Sequence, residues 1–321
     1  MIRKALILLL FLISLITIAC GQPTQYSRAL LWKITGNGLA KPSYLYGTIH
    51  YIPRKDFFLT RSTMEAFGEC KILATEHASF MQYIPSSAWR KIEAGKFLPQ
   101  GQTVASLMTP ADFDTLTRYM RKVLHLSKGQ YRAYIRLKPA YLSGALFNKI
   151  YPRGTGYELE FWKWGRARNQ NRQYLIFEGL EASQHTQAAI DSVVVIYQVN
   201  ELMGEIKGNF TQYAQLVKTY QAQDIEAMYE DTADDKLIYD LLVVKRNQSW
   251  MPKIGKLIHS QPTFIAVGAA HLAGPAGLID LLKNAGYTVS PVIDHTVYSR
   301  WIQVGQPAYS SKERYYPNDG Y

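Results

Sequence analysis

Long hydrophobic runs are scarce in this chain of 321 residues, and only residues 5–19 form one. That run is shorter than the roughly 20 residues that span a bilayer, so the sequence excludes a polytopic membrane protein. Cysteine is scarce too, with Cys20 and Cys70 alone, which excludes a zinc site built from cysteines. If Cys20 carries a lipid, Cys70 has no disulfide partner in the chain, and stability must come from a buried core.

Charge of one sign is abundant but nowhere concentrated. The formal net charge is +11, yet no five basic residues occur in a row and acidic residues are interleaved with them. We therefore expect no nucleic-acid partner, and a positive exported protein would instead suit contact with anionic lipid or polysaccharide. A dinucleotide fingerprint is missing as well, because Gly36-Asn37-Gly38 lacks the third glycine, and no serine lies in a nucleophile elbow.

The N-terminal apolar run has the parts of a secretory signal. Arg3 and Lys4 precede it, and Ala19 stands before Cys20 at a small-residue cleavage site. The arrangement resembles a bacterial lipoprotein signal, which predicts a signal peptide over 1–19, lipidation of Cys20 and a tether over 20–28. Plain secretion and an uncleaved anchor are the alternatives. All three place the protein outside the cytoplasm, and lipidation would attach it to a membrane of the cell envelope, facing the periplasm or the outer surface.

The order of apolar strands and helices predicts the fold class. Continuous apolar strands followed by helices at both ends of the chain favour an α/β fold, with a central, mostly parallel sheet flanked by helices. Residues 84–169 and 183–260 read as mainly helical and predict a large insertion or cap over the sheet. We expect one domain over 29–303 and a flexible polar tail over 304–321.

Four predicted strands end in side chains that bind metals or move protons. Ligands of open α/β sheets bind outside the carboxyl ends of the strands, so these side chains are expected at one edge. The spacing Gly-x-x-His occurs twice, as Gly47-Thr48-Ile49-His50 and as Gly268-Ala269-Ala270-His271. His77, as the strand neighbour of Glu76, is expected on the opposite face. The strand-end residues are His50, Glu76, His77, Glu178, Glu181 and His271.

Several segments resemble the TraB/GumN family, which is related to the Tiki metalloproteases. The resemblance runs from about Ala29 to Val292 and is carried by LWKITGNGLAKPSYLYGTIHYIP, GLEASQHTQ, RNQSWMPKI and FIAVGAAHLAGPAGLIDLLKNAGYTV. In Tiki-like members, the two GxxH histidines and a glutamate are proposed to hold a divalent metal that activates water for peptide hydrolysis. By position, His50 and His271 match the histidines, and Glu76 matches the acid that ends the next strand.

The same resemblance implies further catalytic residues. Glu181 matches the acid of the GLE motif, Arg246 matches the basic residue of the RN motif, and Glu76 joins them as a catalytic candidate. Gly156-Tyr157-Glu158 departs from the usual G-x-D segment by carrying a longer carboxylate. A carboxylate outside the metal's ligands could act as general base, and Arg246 could stabilise an oxyanion. Glu181 as a helix cap and Arg246 as a simple ion-pair partner stay open alternatives.

The candidate residues lead to two functional hypotheses. Two imidazoles with carboxylates suit Mn, Fe, Co or Zn, and such an ion lowers the pKa of bound water from about 16 toward 7. The first hypothesis is a lipid-anchored, extracytoplasmic, metal-dependent hydrolase acting on a peptide or protein substrate. The second is a non-catalytic envelope protein that sequesters a peptide or a metal-bearing ligand. A bound metal with an open coordination position would separate them.

Overall fold

The structure is a computed structural model that describes residues 26–76, 90, 93–167, 171–178, 195–208 and 210–296. Strands and helices within these ranges are numbered in chain order. The strands are β1 (Leu31–Gly36), β2 (Ser43–Thr48), β3 (Ile52–Pro53), β4 (Ile72–Thr75), β5 (Gly154–Thr155), β6 (Gln173–Ile176), β7 (Thr263–Gly268) and β8 (Tyr287–Pro291). The α-helices are α1 (Arg61–Glu69), α2 (Pro110–Arg118), α3 (Lys128–Tyr134), α4 (Pro139–Ile150), α5 (Tyr157–Ala167), α6 (Val195–Lys207), α7 (Thr211–Gln221), α8 (Ile225–Ala233), α9 (Lys236–Tyr239), α10 (Lys245–Ser260) and α11 (Leu278–Asn284).

A six-stranded sheet forms the centre of the molecule, in the order β6-β4-β7-β2-β1-β8. The pairs β6–β4, β4–β7 and β7–β2 are parallel, whereas β1 pairs antiparallel with β2 and β8. All residues of β2, β4 and β7 are buried, as expected for strands covered on both faces. The predicted α/β class with a mostly parallel sheet is therefore confirmed.

Strands β1 and β2 form a hairpin at the start of the sheet. Strand β1 pairs with β2 in register, with Leu31 opposite Tyr46. The connection between them contains Asn37 and Gly38, both with positive φ, which an asparagine and a glycine adopt more readily than other residues. Strand β2 also pairs in parallel with β7, so both GxxH motifs begin within the last residues of neighbouring parallel strands.

Several helices begin after a residue whose side chain accepts a hydrogen bond from a free backbone N–H group. Thr60 caps α1 by accepting a hydrogen bond from the N–H of Thr63. Helix α2 combines a threonine cap with Pro110 in its first turn, a position at which proline is favoured. Ser127 and Gln130 form a reciprocal capping box at the start of α3. These local signals explain where α1, α2 and α3 begin.

The helical middle of the chain has an apolar core separate from the one around the sheet. Side chains from α2, α4 and α6 meet in it, together with residues near their ends. The extents predicted for the cap and the single domain stay predictions, and the signal peptide and the tail lie outside the described residues. The fully buried members of this second core are Val104, Leu116, Met120, Leu142, Leu146 and Leu202.

Within the described ranges, no helix combines the length and apolar composition that crossing a bilayer requires.

Candidate functional site

The carboxyl ends of the four parallel strands meet at one edge of the sheet. His50 follows β2 by two residues, Glu76 follows β4 directly, and β7 leads into a 3-10 turn, Ala269–His271. The Nε2 atoms of His50 and His271 each lie 3.6 Å from Oε2 of Glu76. The structure therefore brings the three residues predicted as metal ligands together around a single carboxylate oxygen.

Arg246 from α10 holds the other oxygen of that carboxylate. Its guanidinium lies 2.5 Å from Oε1 of Glu76 and donates two hydrogen bonds to Glu178, of 2.6 and 3.1 Å. Its remaining nitrogen donates to the carbonyl of Leu242 at 3.1 Å and faces Nε2 of His271 at 3.4 Å. Burial lowers the pKa of Arg246, but the charges of Glu76 and Glu178 outweigh this and raise it. The guanidinium thus stays charged and uses its donors to bind both carboxylates.

Glu178, which ends another predicted strand, also lies at the site. The N–H of Glu178 donates to the carbonyl of Glu76 at 3.0 Å, which extends the parallel pairing of β6 with β4. Its carboxylate is buried and also accepts a hydrogen bond from Nε1 of Trp250. The position of Glu178 at the end of a predicted strand was the available signal, since Glu76 ends the neighbouring strand.

His50 is the exposed member of the site, with 51% of its side chain accessible. Its Nδ1 lies 3.2 Å from Oε1 of Glu158, the same oxygen that accepts a 2.5 Å hydrogen bond from Thr48. Partial burial lowers the pKa of His50, but the charges of Glu76 and Glu158 and the hydrogen bond with Glu158 outweigh this and raise it to about 9. For Glu158 the effects are reversed: burial raises the pKa of its carboxyl, but the nearby His50 outweighs this and lowers it. The carboxylate of the G-x-E segment therefore orients His50.

His271 is the buried member, and its ring is held from two sides. Nδ1 lies 2.7 Å from Oδ1 of Asn247, and the ring of Trp250 lies 4.6 Å from the imidazole, between centroids. Both histidines therefore use Nδ1 for a hydrogen bond with a neighbouring oxygen and direct Nε2 toward Glu76. Histidines that bind metals in proteins usually show this arrangement, because the second nitrogen fixes the ring orientation.

Gly268 borders the space between the three groups. A Cβ atom at this position would lie 3.4 Å from Nε2 of His50, 3.6 Å from Oε2 of Glu76 and 3.6 Å from Cδ2 of His271. All three contacts are ordinary van der Waals distances, so an alanine would fit without a clash. The glycine therefore keeps open a space toward which both histidines and the carboxylate converge.

The donor set suits a divalent transition metal, but the three ligands are not arranged as a complete site. Within the described ranges, no group of three or more His, Cys, Asp or Glu side chains is positioned to hold a metal ion. The histidine–carboxylate separations of 3.6 Å are nevertheless near the distance of about 3.4 Å between two ligands of one tetrahedral ion. The ligand types, the anchored Nδ1 atoms and the open space beside Gly268 all fit such an ion.

Three predicted residues cannot be placed. Glu181 and His77 lie outside the described residues, so the catalytic role of the first and the outward orientation of the second stay predictions. Cys20, the predicted lipidation site, also lies outside them. Arg246 is present at the site, where its donors bind Glu76, Glu178 and a backbone carbonyl, so the ion-pair alternative describes its contacts.

Comparison with known proteins agrees with the resemblance noted in the motifs. The metalloproteases TIKI2 and TIKI1 of Danio rerio are 21% and 24% identical to this chain over alignments of 330 and 326 residues. The alignments cover 84% of this chain but 62% and 64% of the two relatives, so the chain spans less than two thirds of their length. No solved structure gives a significant match. The model of the TraB/PrgY/gumN family matches residues 30–291, which include every strand of the sheet, and the chain belongs to that family.

Proposed function

We propose that the protein is a metal-dependent hydrolase whose divalent ion binds at the sheet edge between the two GxxH histidines. The convergence of three ligand-type side chains carries this proposal. Nε2 of His50 and Nε2 of His271 both lie 3.6 Å from Oε2 of the buried Glu76. Nδ1 of each ring lies against a neighbouring oxygen, as in histidines that bind metals. A divalent ion bound there would displace the proton that the raised pKa of His50 places on that ring, and the nearby carboxylate would favour the charge of the ion.

His50, Glu76 and His271 would hold the ion, and the ion would supply an activated water near neutral pH. Mn, Co, Fe and Zn all accept such a mixed nitrogen and oxygen set. Glu76 and His271 are almost completely buried, whereas His50 is half exposed. A substrate therefore approaches from the side of His50. Arg246 orients Glu76 and balances charge, since its donors are used in binding carboxylates and a carbonyl.

A peptide or protein is the proposed substrate. The support is that both relatives are metalloproteases, together with the family membership. The site would offer such a substrate an edge of the sheet that is rich in carboxylates and open to solvent on the side of His50. Nucleic acid is not among the expected partners, because the sequence has no basic stripe.

The substitution Gly268→Ala tests the metal site without removing a polar group. The added methyl group fills the space between His50, Glu76 and His271 but makes only ordinary contacts. We expect at least a tenfold loss of Co²⁺ or Mn²⁺ binding and of peptide-library cleavage, with an unchanged unfolding midpoint. Gly204→Ala on α6 is the matched control, because a Cβ there meets nothing within 4 Å.

Three outcomes would contradict the proposal. Gly268→Ala could retain full metal content and full cleavage. Wild-type protein could bind no transition metal after exposure to Mn²⁺, Co²⁺ or Zn²⁺. Peptides could be bound with an affinity that a chelator does not change and without turnover, which is the behaviour of the envelope binding protein of the second hypothesis.

The cell envelope is the proposed location, with attachment through a lipid on Cys20. The basic, apolar and small-residue parts of the N-terminal segment support this proposal. Expressed in a bacterium that processes lipoproteins, the wild type should incorporate radioactive palmitate, and Cys20→Ser should not. Equal labelling of both proteins, or persistence of the full 36.6 kDa chain, would contradict it.

A further inference from the structure

The amide of Asn247 is completely buried beside His271, and its contacts determine its orientation. Nδ2 donates to the carbonyl of His271 at 3.1 Å and to the carbonyl of Ala276 at 2.8 Å. Oδ1 lies 2.7 Å from Nδ1 of His271. Because a carbonyl can only accept, both amide hydrogens are committed to the backbone, and the amide cannot be turned round.

This orientation decides where His271 carries its proton. Oδ1 of Asn247 accepts hydrogen bonds and donates none, so Nδ1 of His271 must be the donor. In a neutral imidazole the other nitrogen, Nε2, then has an unprotonated electron pair. That nitrogen faces Oε2 of Glu76 at 3.6 Å and the guanidinium of Arg246 at 3.4 Å.

The excluded tautomer would compete directly with metal binding. If His271 carried its proton on Nε2, that N–H would point toward the Glu76 carboxylate, whose Oε2 lies 3.6 Å away and is an acceptor. The proton would then occupy the electron pair that an ion needs. The amide of Asn247 makes this state costly, because Nδ1 and Oδ1 would then be two acceptors 2.7 Å apart in a dry environment.

We propose that Asn247 is a positioning residue that holds His271 in the Nδ1–H tautomer and so keeps Nε2 available as a metal ligand. The metal-binding purpose of this tautomer rests on the proposed function, whereas the tautomer itself is a property of the metal-free protein. Asn247 also binds the backbone carbonyls of His271 and Ala276, in the segment between β7 and α11. The same side chain therefore fixes both the position of the proton on His271 and the position of His271 in the site.

Nitrogen NMR reads the tautomer directly. Metal-free protein labelled with ¹⁵N-histidine is recorded in long-range ¹H–¹⁵N experiments, and the signals of His271 are identified by their loss in His271→Gln. The wild type should show the Nδ1–H pattern. Asn247→Ala should gain the Nε2–H pattern and bind Co²⁺ about 10–100-fold more weakly, as loss of an outer-shell partner of a metal ligand usually does.

A conservative variant separates positioning from simple stabilisation. Asn247→Asp keeps an oxygen toward Nδ1 but loses both amide donors, so it should unfold more easily and still show the Nδ1–H pattern. Gln223→Ala is the control, because this buried amide also binds two backbone groups, the N–H of Leu30 and the carbonyl of Asp294, away from the site. It should lose stability with no change at His271.

An Nε2–H pattern in the wild type would overturn the assignment, as would a folded Asn247→Ala that keeps the Nδ1–H pattern and the Co²⁺ affinity. If Asn247→Ala does not fold, the wild-type and Asn247→Asp spectra decide. Failure of the proposed function is distinct, since it appears as a wild type with the Nδ1–H pattern that neither binds Co²⁺ nor cleaves peptides.

Discussion

Removing the charge of Arg246 should destabilise the fold far more than removing an exposed cation. In Arg246→Met, the carboxylates of Glu76 and Glu178 lose the guanidinium between them, although their side chains are only 3% and 9% exposed. Breaking a buried ion pair by deleting one partner costs about 3–5 kcal/mol, because the other charge stays buried without compensation. That is a large share of the about 5–15 kcal/mol by which domains are stable.

Urea unfolding of chelator-treated protein, followed by circular dichroism, measures the effect. Arg28→Met is the matched control, because Arg28 pairs with Asp224 at 3.0 Å but is 68% exposed. Its loss should cost at most about 1 kcal/mol, as is usual for surface ion pairs. Similar midpoints for Arg246→Met and Arg28→Met would refute the view that Arg246 compensates buried charge.

A second substitution sharpens this prediction. In Arg246→Met, the further change Glu178→Gln removes one of the two carboxylates that lose their guanidinium partner, while keeping an oxygen for Nε1 of Trp250. The double variant should therefore be more stable than Arg246→Met alone, although Glu178→Gln by itself removes a favourable partner. Additive destabilisation of the two changes would show that the groups do not interact through charge.

Two further predictions concern the backbone and the pH dependence of stability. A Cβ on Gly47 would lie 3.0–3.1 Å from Ala269, so Gly47→Ala should displace the turn that carries His271. We expect it to lower the free energy of unfolding in urea by about 1–3 kcal/mol. Gly68→Ala should not do so, because a Cβ there meets nothing within 4 Å. Partial burial raises the pKa of Asp294, but hydrogen bonds, chiefly from Thr296, lower it from 3.8 to about 2. A carboxyl whose pKa is lower in the folded state stabilises the fold at pH values above its unfolded pKa. The contribution of Asp294 to stability should therefore be complete above about pH 4 and lost as the pH falls toward 2. An acid-unfolding profile of Asp294→Asn that matches the wild type would contradict this prediction.

The strand-end residues could be predicted because their placement follows from the sheet class alone. Parallel strands of one sheet end at the same edge. Three parallel strands that end near His50, Glu76 and His271 are therefore expected to place these residues at that edge. That Glu178 lies beside Glu76 depends instead on the register of β6 against β4. Register is set by contacts between segments distant in the sequence, and no local pattern in the sequence reveals it.

The roles of Arg246 and Asn247 were beyond local patterns for the same reason. A helix over 245–260 can be read from apolar spacing, but which carboxylates its arginine meets depends on how the helix docks on the sheet. Asn247 binds two carbonyls more than twenty residues later in the chain. These carbonyls come within reach of its amide only after β7 and α11 have taken their places. Its role follows only from the hydrogen bonds of the folded protein.

The two GxxH motifs build two unequal halves of one site. Helix α10 clamps the buried half, since Arg246 binds the carboxylates, Asn247 binds His271 and the fully buried Trp250 lies against the same imidazole. The half that carries His50 is anchored by one carboxylate from the first turn of α5 and stays half exposed. A rigid, buried pair of side chains beside a more accessible histidine agrees with the proposed hydrolase. In that proposal, the buried half would orient the ion, and the exposed half would admit the substrate.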